Sequence, residues 1–136
     1  MANALFAKGK QNFLDAAIDL VADAIKLVCV DHADDTPVVA TDDALDDILS
    51  AARVATSVAF TGKSITDGIF DANDVTLPTV TGDPFESLVV FDDTPAAEAN
   101  KLLFLYVDTA TGLPCTPNGG DITVAWDNGA NKIFAL

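Results

Sequence analysis

The sequence predicts a mainly β protein, an antiparallel β-sandwich or small β-barrel of six to seven strands, with one or two short helices in the N-terminal third. Short apolar runs rich in β-branched residues alternate with turn signals along the chain. All but two of the 21 acidic residues, Glu86 and Glu98, are aspartates, which favour turns and caps over helix interiors. A length of 136 residues suits one domain, so we expect residues 1–136 to form a single β-rich unit.

The first element is a predicted amphipathic helix. Leu5, Phe6, Gly9 and Phe13 stand at helical spacing, and the helix is expected to end near Asp15. Gly9 disfavours this helix by about 1 kcal/mol relative to alanine.

The next elements alternate between strand and helix signals. Ile25 to Asp31 is a short apolar run that predicts a buried strand. Asp42 to Leu49 predicts a helix of one or two turns with an acidic first turn and three aliphatic residues on one face. Arg53 to Phe60 alternates as a half-buried antiparallel strand does. One face of that strand carries Val54, Thr56, Val58 and Phe60.

Three further strands are expected in the middle of the chain. Asp74 to Val80 places Val75 and Leu77 inward, and Pro78 indicates an edge strand or an early end. The other two strands are Ser87 to Phe91 and Lys101 to Val107. The last of these is apolar on both faces and should be central.

A closing hairpin is predicted at the C-terminus. One strand turns through Asn128-Gly129 and returns along Ile133 and Phe134. The inward residues of the first strand are Ile122, Val124 and Trp126. We expect both strands of this hairpin to supply core residues.

The charge balance excludes two classes of partner. With a net charge of −14 and no cluster of Lys and Arg, the chain is not expected to bind nucleic acid or an anionic membrane. No apolar stretch approaches the roughly 20 residues of a membrane span, and no signal peptide is visible. Cys29 lies within an apolar run and is expected to be a buried unpaired thiol, although a disulfide with Cys115 is an alternative.

No pattern of catalytic residues emerges. Gly62-Lys63-Ser64 lacks the earlier glycine of a phosphate-binding loop, and His32 has no nucleophile in a recognisable turn, so a solvated loop is expected there. Two loops are rich in oxygen ligands for a hard cation. They contain Asp31, Asp34 and Asp35 in the first and Asp67, Asp71, Asn73 and Asp74 in the second. Neither follows an ordered calcium motif, so we predict no enzyme activity, no cofactor and no metal.

Several blocks of the chain resemble a family of small structural proteins of tailed bacteriophages. These blocks are Met1 to Leu14, Ile25 to Asp31, Ala52 to Ser57, Asp108 to Pro114 and Asn118 to Phe134. The resemblance extends over essentially the full length, and the last block is its most specific part.

The resemblance implies a non-enzymatic virion protein, and above all a capsid decoration (cement) protein that binds and stabilises the assembled head. The implied partner is the major capsid protein, and the implied location is the capsid surface after synthesis in the host bacterial cytoplasm. A homo-oligomer, trimer or dimer, is expected. The alternatives are a tail or neck component and an adhesin module that binds a host surface or glycan.

Residues 1–14 are the candidate adhesive segment, helical or arm-like, because they are basic and apolar in an otherwise acidic chain. The candidate interface residues are Leu5, Phe6, Lys8, Lys10 and Phe13. In the alternative interpretation, the apolar members of this set cover one end of the protein's own sheet.

Overall fold

A computed structural model describes residues 3–136 and contains ten short strands and one α-helix in that range. The helix, α1, is Ala7–Leu14. The strands are β1 (Ala4–Leu5), β2 (Ile25–Val30), β3 (Arg53–Thr56), β4 (Ser64–Thr66), β5 (Ile69–Asp71), β6 (Val75–Leu77), β7 (Ser87–Asp92), β8 (Leu103–Val107), β9 (Ile122–Val124) and β10 (Phe134–Ala135). Single 3₁₀ turns cover Leu45–Asp47, Ser50–Ala52 and Glu98–Asn100.

The strands form three antiparallel sheets. The main sheet has five strands in the order β1-β8-β7-β2-β3, and the others are β10-β5-β4 and the pair β6-β9. The sheets do not close into a barrel, and the architecture is that of a β-sandwich. The predicted mainly β, antiparallel fold is confirmed, with more and shorter strands than the six or seven expected.

The main sheet is buried on both faces. On one face, side chains such as Leu27 and Val90 pack against residues of the two smaller sheets. On the other face, Val28 and Val89 pack with Leu45, one of the residues that cover that side. Burial on both sides explains why β2, β7 and β8 are continuous apolar runs rather than alternating ones.

Arg53 holds the covering segment in place. Its guanidinium donates to the carbonyl oxygens of Leu45 (2.7 Å) and Ile48 (2.6 and 2.9 Å) and forms an ion pair with Glu98 at 2.8 Å. The helix predicted from Asp42 to Leu49 is here only the 3₁₀ turn Leu45–Asp47. Leu45 and Ile48 are buried as expected, but Leu49 is 57% exposed, because the shorter turn rotates it away from the core.

The predicted closing hairpin is wrong. β9 pairs with β6, and β10 pairs with β5, so the two strands belong to different sheets. The chain does turn near Asn128-Gly129, where Asp127 Oδ1 accepts the N–H of Gly129, but the turn does not join paired strands. The Trp126 N–H donates to Asp74 Oδ1. The expectation that both strands supply core residues is confirmed, since Phe134 is buried and Trp126 packs against the core.

The strand predicted from Arg53 to Phe60 ends four residues early, at Thr56. The Ser57 N–H donates to the Leu27 carbonyl as a strand residue would, but the Leu27 N–H donates to Ser57 Oγ rather than to a backbone carbonyl. Because the hydroxyl takes the place of the carbonyl, the ladder stops there. Val58 is 65% exposed.

A short hairpin was missing from the prediction. β4 and β5 pair across Asp67 and Gly68, both of which have positive φ (53° and 78°). A two-residue loop with positive φ at both positions matches the twist of an antiparallel pair, and Asp-Gly is a typical sequence for it.

Candidate interaction surfaces

The N-terminal segment is an integral part of the fold. β1 pairs with β8, and Phe6 is completely buried with its ring 6.4 Å from that of Tyr106. Leu5 is half-buried and packs against the core. Phe6 therefore has no surface to offer a partner in this conformation.

α1 lies directly on β8. Gly9 is buried, and a Cβ atom added to it would stand 2.6 Å from the Phe104 Cα, so only a glycine permits this contact. Phe13 extends the contact, with its ring 5.4 Å from that of Phe104 and 5.7 Å from that of Phe134. The packing of Phe6 and Phe13 agrees with the interpretation in which these side chains cover the sheet.

The two remaining candidate residues lie on the exposed surface of α1. Lys8 and Lys10 are exposed, and neither forms an ion pair with any residue of the range 3–136. Leu14, one turn after Lys10, is 88% exposed. We use the name helix face for the exposed surface of α1 formed by these three residues; Lys10 and Leu14 lie one turn apart on one side, and Lys8 projects on another side.

Most other cations of the chain are held by local partners. Lys26 and Lys101 both bind the Asp93 carboxylate, at 2.7 and 2.5 Å, and Arg53 binds Glu98. Lys63 donates to the carbonyl oxygen of Asp23. The helix face thus presents unpaired positive charge on a protein whose net charge is −14.

An apolar groove lies next to the helix face. Its volume is about 330 Å³, and it begins at Phe13, the neighbour of Leu14. Ile65 and Leu136 line the groove and are 50% and 69% exposed. Its other lining residues are Ala16, Ile18, Asp19 and Leu20. Exposed apolar surface rimmed by polar residues is typical of a protein–protein interaction site.

His32 lies in a loop, as predicted, but it is less solvated than expected. It is half-buried, its Nε2 lies 2.8 Å from Ser87 Oγ, and its ring stacks on that of Tyr106 with centroids 6.3 Å apart. Ser87 is completely buried, so a substrate could not reach its hydroxyl in this conformation. Hydrogen bonds of this cluster join the turn after β2 to Ser87 on β7 and Tyr106 on β8.

The two Asp-rich loops differ in whether their carboxylates lie close together. Asp31 and Asp34 come together with Asp83 from a distant loop, and their carboxylate oxygens lie within 4.8 Å of one another. Asp35 instead accepts the Leu49 N–H. In the second loop the carboxylates separate, since Asp71 Oδ1 accepts the Ala72 N–H and Asp74 Oδ1 that of Trp126. Asp83 could not be grouped with the others from sequence, because only the folded chain brings it near.

A second hollow, of about 460 Å³, lies between Leu88 on β7 and Val124 on β9. Leu113 and Cys115 also line it, and Asp127 is the charged residue at its rim. Its walls are mostly apolar, so they offer packing to an occupant rather than a set of converging polar groups.

No helix within residues 3–136 is both long and apolar enough to span a lipid bilayer. No family model matches the chain, and no curated protein matches it.

Proposed function

We propose that this chain is a non-enzymatic structural protein of a bacteriophage virion and that it binds the assembled head as a decoration (cement) protein. The sequence blocks described above, at both ends of the chain and within it, support the phage assignment. The observation that carries the binding role is the helix face: Lys8 and Lys10 are exposed without carboxylate partners beside the exposed Leu14, on a strongly acidic body.

The charge distribution suits attachment to a large protein shell. The acidic remainder of the surface keeps decorated particles apart, since like charges repel. A basic and apolar patch attaches through charge complementarity and burial of Leu14 and the neighbouring groove. The partner in this proposal is the major capsid protein, and the chain occupies the capsid surface, where a trimer or dimer would fit the symmetry of the shell.

The test is cosedimentation with heads that lack the protein, isolated from the phage that encodes it. We expect the wild-type chain to bind and to raise the temperature at which the heads come apart. Lys10→Glu should weaken binding by about tenfold or more, equivalent to ~1.4 kcal/mol. Lys132→Glu is the charge-reversal control because Lys132, although half-buried, forms no ion pair within residues 3–136 and lies outside the helix face.

The outcomes separate the parts of the proposal. Equal binding by the wild type and Lys10→Glu would remove the helix face as the contact. Failure of the wild type to bind heads, together with a handful of copies at the tail, would instead favour a tail or neck component. Retention of the chain on a glycan matrix would favour an adhesin.

A further inference from the structure

The outer edge of the main sheet next to β3 has an unusual chemical character. β3 is the last strand of that sheet, and its ladder within residues 3–136 is with β2 alone. Edge strands of soluble proteins are normally protected by charges, prolines or covering segments. The stretch from 53 to 66 contains no acidic residue, although the chain carries 21.

The backbone N–H and C=O groups of Thr56 face away from β2. The Ser57 N–H bonds to the Leu27 carbonyl, and in an antiparallel pair the bonded and non-bonded positions alternate. The N–H and C=O of Thr56, opposite Val28, therefore face outward, and no hydrogen bond joins them to another residue of the range 3–136. Thr56 itself is exposed.

A groove runs along this edge. Val54, Ala55, Thr56 and Val58 form one side, and the segment 77–81 forms the other. Among residues 3–136, no charged residue lines it. Its volume is about 350 Å³, near the lower end of the ~300–1,000 Å³ of ligand pockets, which suits a few side chains of one extended strand.

The wall opposite β3 holds a strained residue. Thr79 has a φ of 47°, a left-handed conformation that a β-branched residue rarely adopts, and its N–H is bound to Asp121 Oδ1 at 2.9 Å. Strain of this kind concentrates at binding sites, where it positions a contact surface. Here it shapes the side of the groove that faces β3.

We infer that this groove binds an extended, acid-free segment of another protein, which adds to β3 as a further antiparallel strand. Main-chain hydrogen bonds to Thr56 supply the attachment, and alternate side chains of the added strand contact Val54, Val58 and the segment 77–81. The occupant is favoured to carry charge opposite to the net −14 of this chain, which a second copy does not offer. A segment with lysine or arginine flanks is favoured for the same reason.

The test does not depend on the phage assignment. The probe is a synthetic peptide of alternating threonine and valine with lysines at both ends, and the readout is amide hydrogen exchange of the full chain. Saturating peptide should slow exchange at Thr56 by about tenfold or more, as expected when an exposed amide joins a ladder. The same peptide with alternate backbone nitrogens methylated should give no protection, and glutamate in place of the lysines should weaken binding.

Two matched variants locate the site. Val58→Asp places a charge in the groove and should weaken peptide binding by about tenfold, ~1.4 kcal/mol. Val38→Asp makes the same change at a valine that is 48% exposed and outside the groove, and should leave binding unchanged. Normal melting of both variants confirms that each is folded.

Three results would overturn the inference. They are the absence of peptide binding at millimolar concentration, binding without protection of Thr56, and equal effects of the two aspartate variants. Protection of Thr56 that grows with protein concentration in the absence of peptide would assign the edge to a second copy of this chain instead.

Discussion

Gly9 of α1 lies against the backbone of Phe104 on β8. A Cβ atom placed on Gly9 would stand 2.6 Å from the Phe104 Cα and 2.9 Å from the Leu103 carbonyl oxygen. Both neighbours are backbone atoms of a central strand, which cannot rotate aside. The glycine that weakens the helix by its intrinsic propensity is therefore the residue that lets the helix pack.

Gly9→Ala should lower the free energy of unfolding by about 2–3 kcal/mol, as expected for overpacking of a close contact. Helix propensity alone would raise stability by about 1 kcal/mol, so the two effects have opposite signs. Lys8→Ala, at an exposed neighbouring position, should change stability by less than ~0.5 kcal/mol. Urea denaturation measures both, and a Gly9→Ala variant as stable as the wild type would show that α1 can move off β8.

Phe6→Ala should lower the free energy of unfolding by about 3–5 kcal/mol, because the ring is completely buried between the sheet and its covering segment. Leu14→Ala should lower it by less than ~0.5 kcal/mol, since Leu14 is 88% exposed.

Deletion of residues 1–14 removes β1, α1 and Phe6 together, so we expect loss of cooperative unfolding. A deletion variant that still melts cooperatively would mean that the segment is dispensable for folding and could serve adhesion alone.

The buried strands could be predicted from sequence because their signal is local. β2, β7 and β8 are apolar runs that sheet burial on both faces requires, and Val75 and Leu77 of β6 are inward as expected. The partner strands of β9 and β10 could not be predicted. A turn signal at Asn128-Gly129 does not determine which strand the chain pairs with after the turn. That choice depends on contacts such as the one between Asp74 and the Trp126 N–H.

The candidate site shows the same limit. Sequence composition identified the basic and apolar character of residues 1–14, but not which of its side chains are buried. Helical spacing cannot separate Phe6 and Phe13 from Leu14, since only the folded sheet decides which helix side it covers. The β4–β5 hairpin, by contrast, has a local sequence signal in the Asp67-Gly68 dipeptide.

Asp93→Asn should lower stability by about 1–2 kcal/mol at neutral pH, because the carboxylate forms charge-assisted hydrogen bonds with Lys101 and Lys26. Burial alone would raise the pKa of Asp93, but these ion pairs outweigh it and lower the pKa below its ordinary 3.8. The stabilisation is therefore present above pH 3.8 and is lost as the pH falls through the lower pKa of the folded state.

Chemical denaturation of the wild type and Asp93→Asn across this pH range measures the effect. The stability difference should be constant near neutral pH and shrink towards zero in acid. Asp46→Asn, at an exposed carboxylate with no side-chain hydrogen bond from residues 3–136, is the control and should have little effect on stability. A difference for Asp93→Asn that persists unchanged in strong acid would contradict the ion-pair explanation.

Cys115 should react with iodoacetamide in the folded protein, and Cys29 should not. Burial, with a smaller effect of the neighbouring Cys115, raises the pKa of Cys29 to about 12 from an ordinary 9.0. The thiolate, which is the reactive form, is then roughly a thousandfold scarcer at neutral pH. Mass spectrometry after labelling should show modification of Cys115 first and of Cys29 only in denaturant. Equal labelling rates in the native state would contradict the burial of Cys29.

Ser57→Ala should lower the free energy of unfolding by about 1–3 kcal/mol, because it leaves the buried N–H of Leu27 without its acceptor. Ser57 Oγ lies 3.0 Å from that nitrogen and also donates to the Val58 carbonyl at 2.8 Å. Ser64→Ala, at an exposed serine of β4, is the matched control and should have little effect.

The same variant tests why β3 ends where it does. If the hydroxyl displaces the Ser57 carbonyl from the ladder, its loss leaves the Leu27 amide unbonded, and hydrogen exchange at Leu27 should become faster. A small change in stability with slow exchange at Leu27 would mean that the Ser57 carbonyl had turned inward and restored a regular ladder. In that case the alternation from Arg53 to Phe60 would describe a strand that the wild-type hydroxyl alone interrupts.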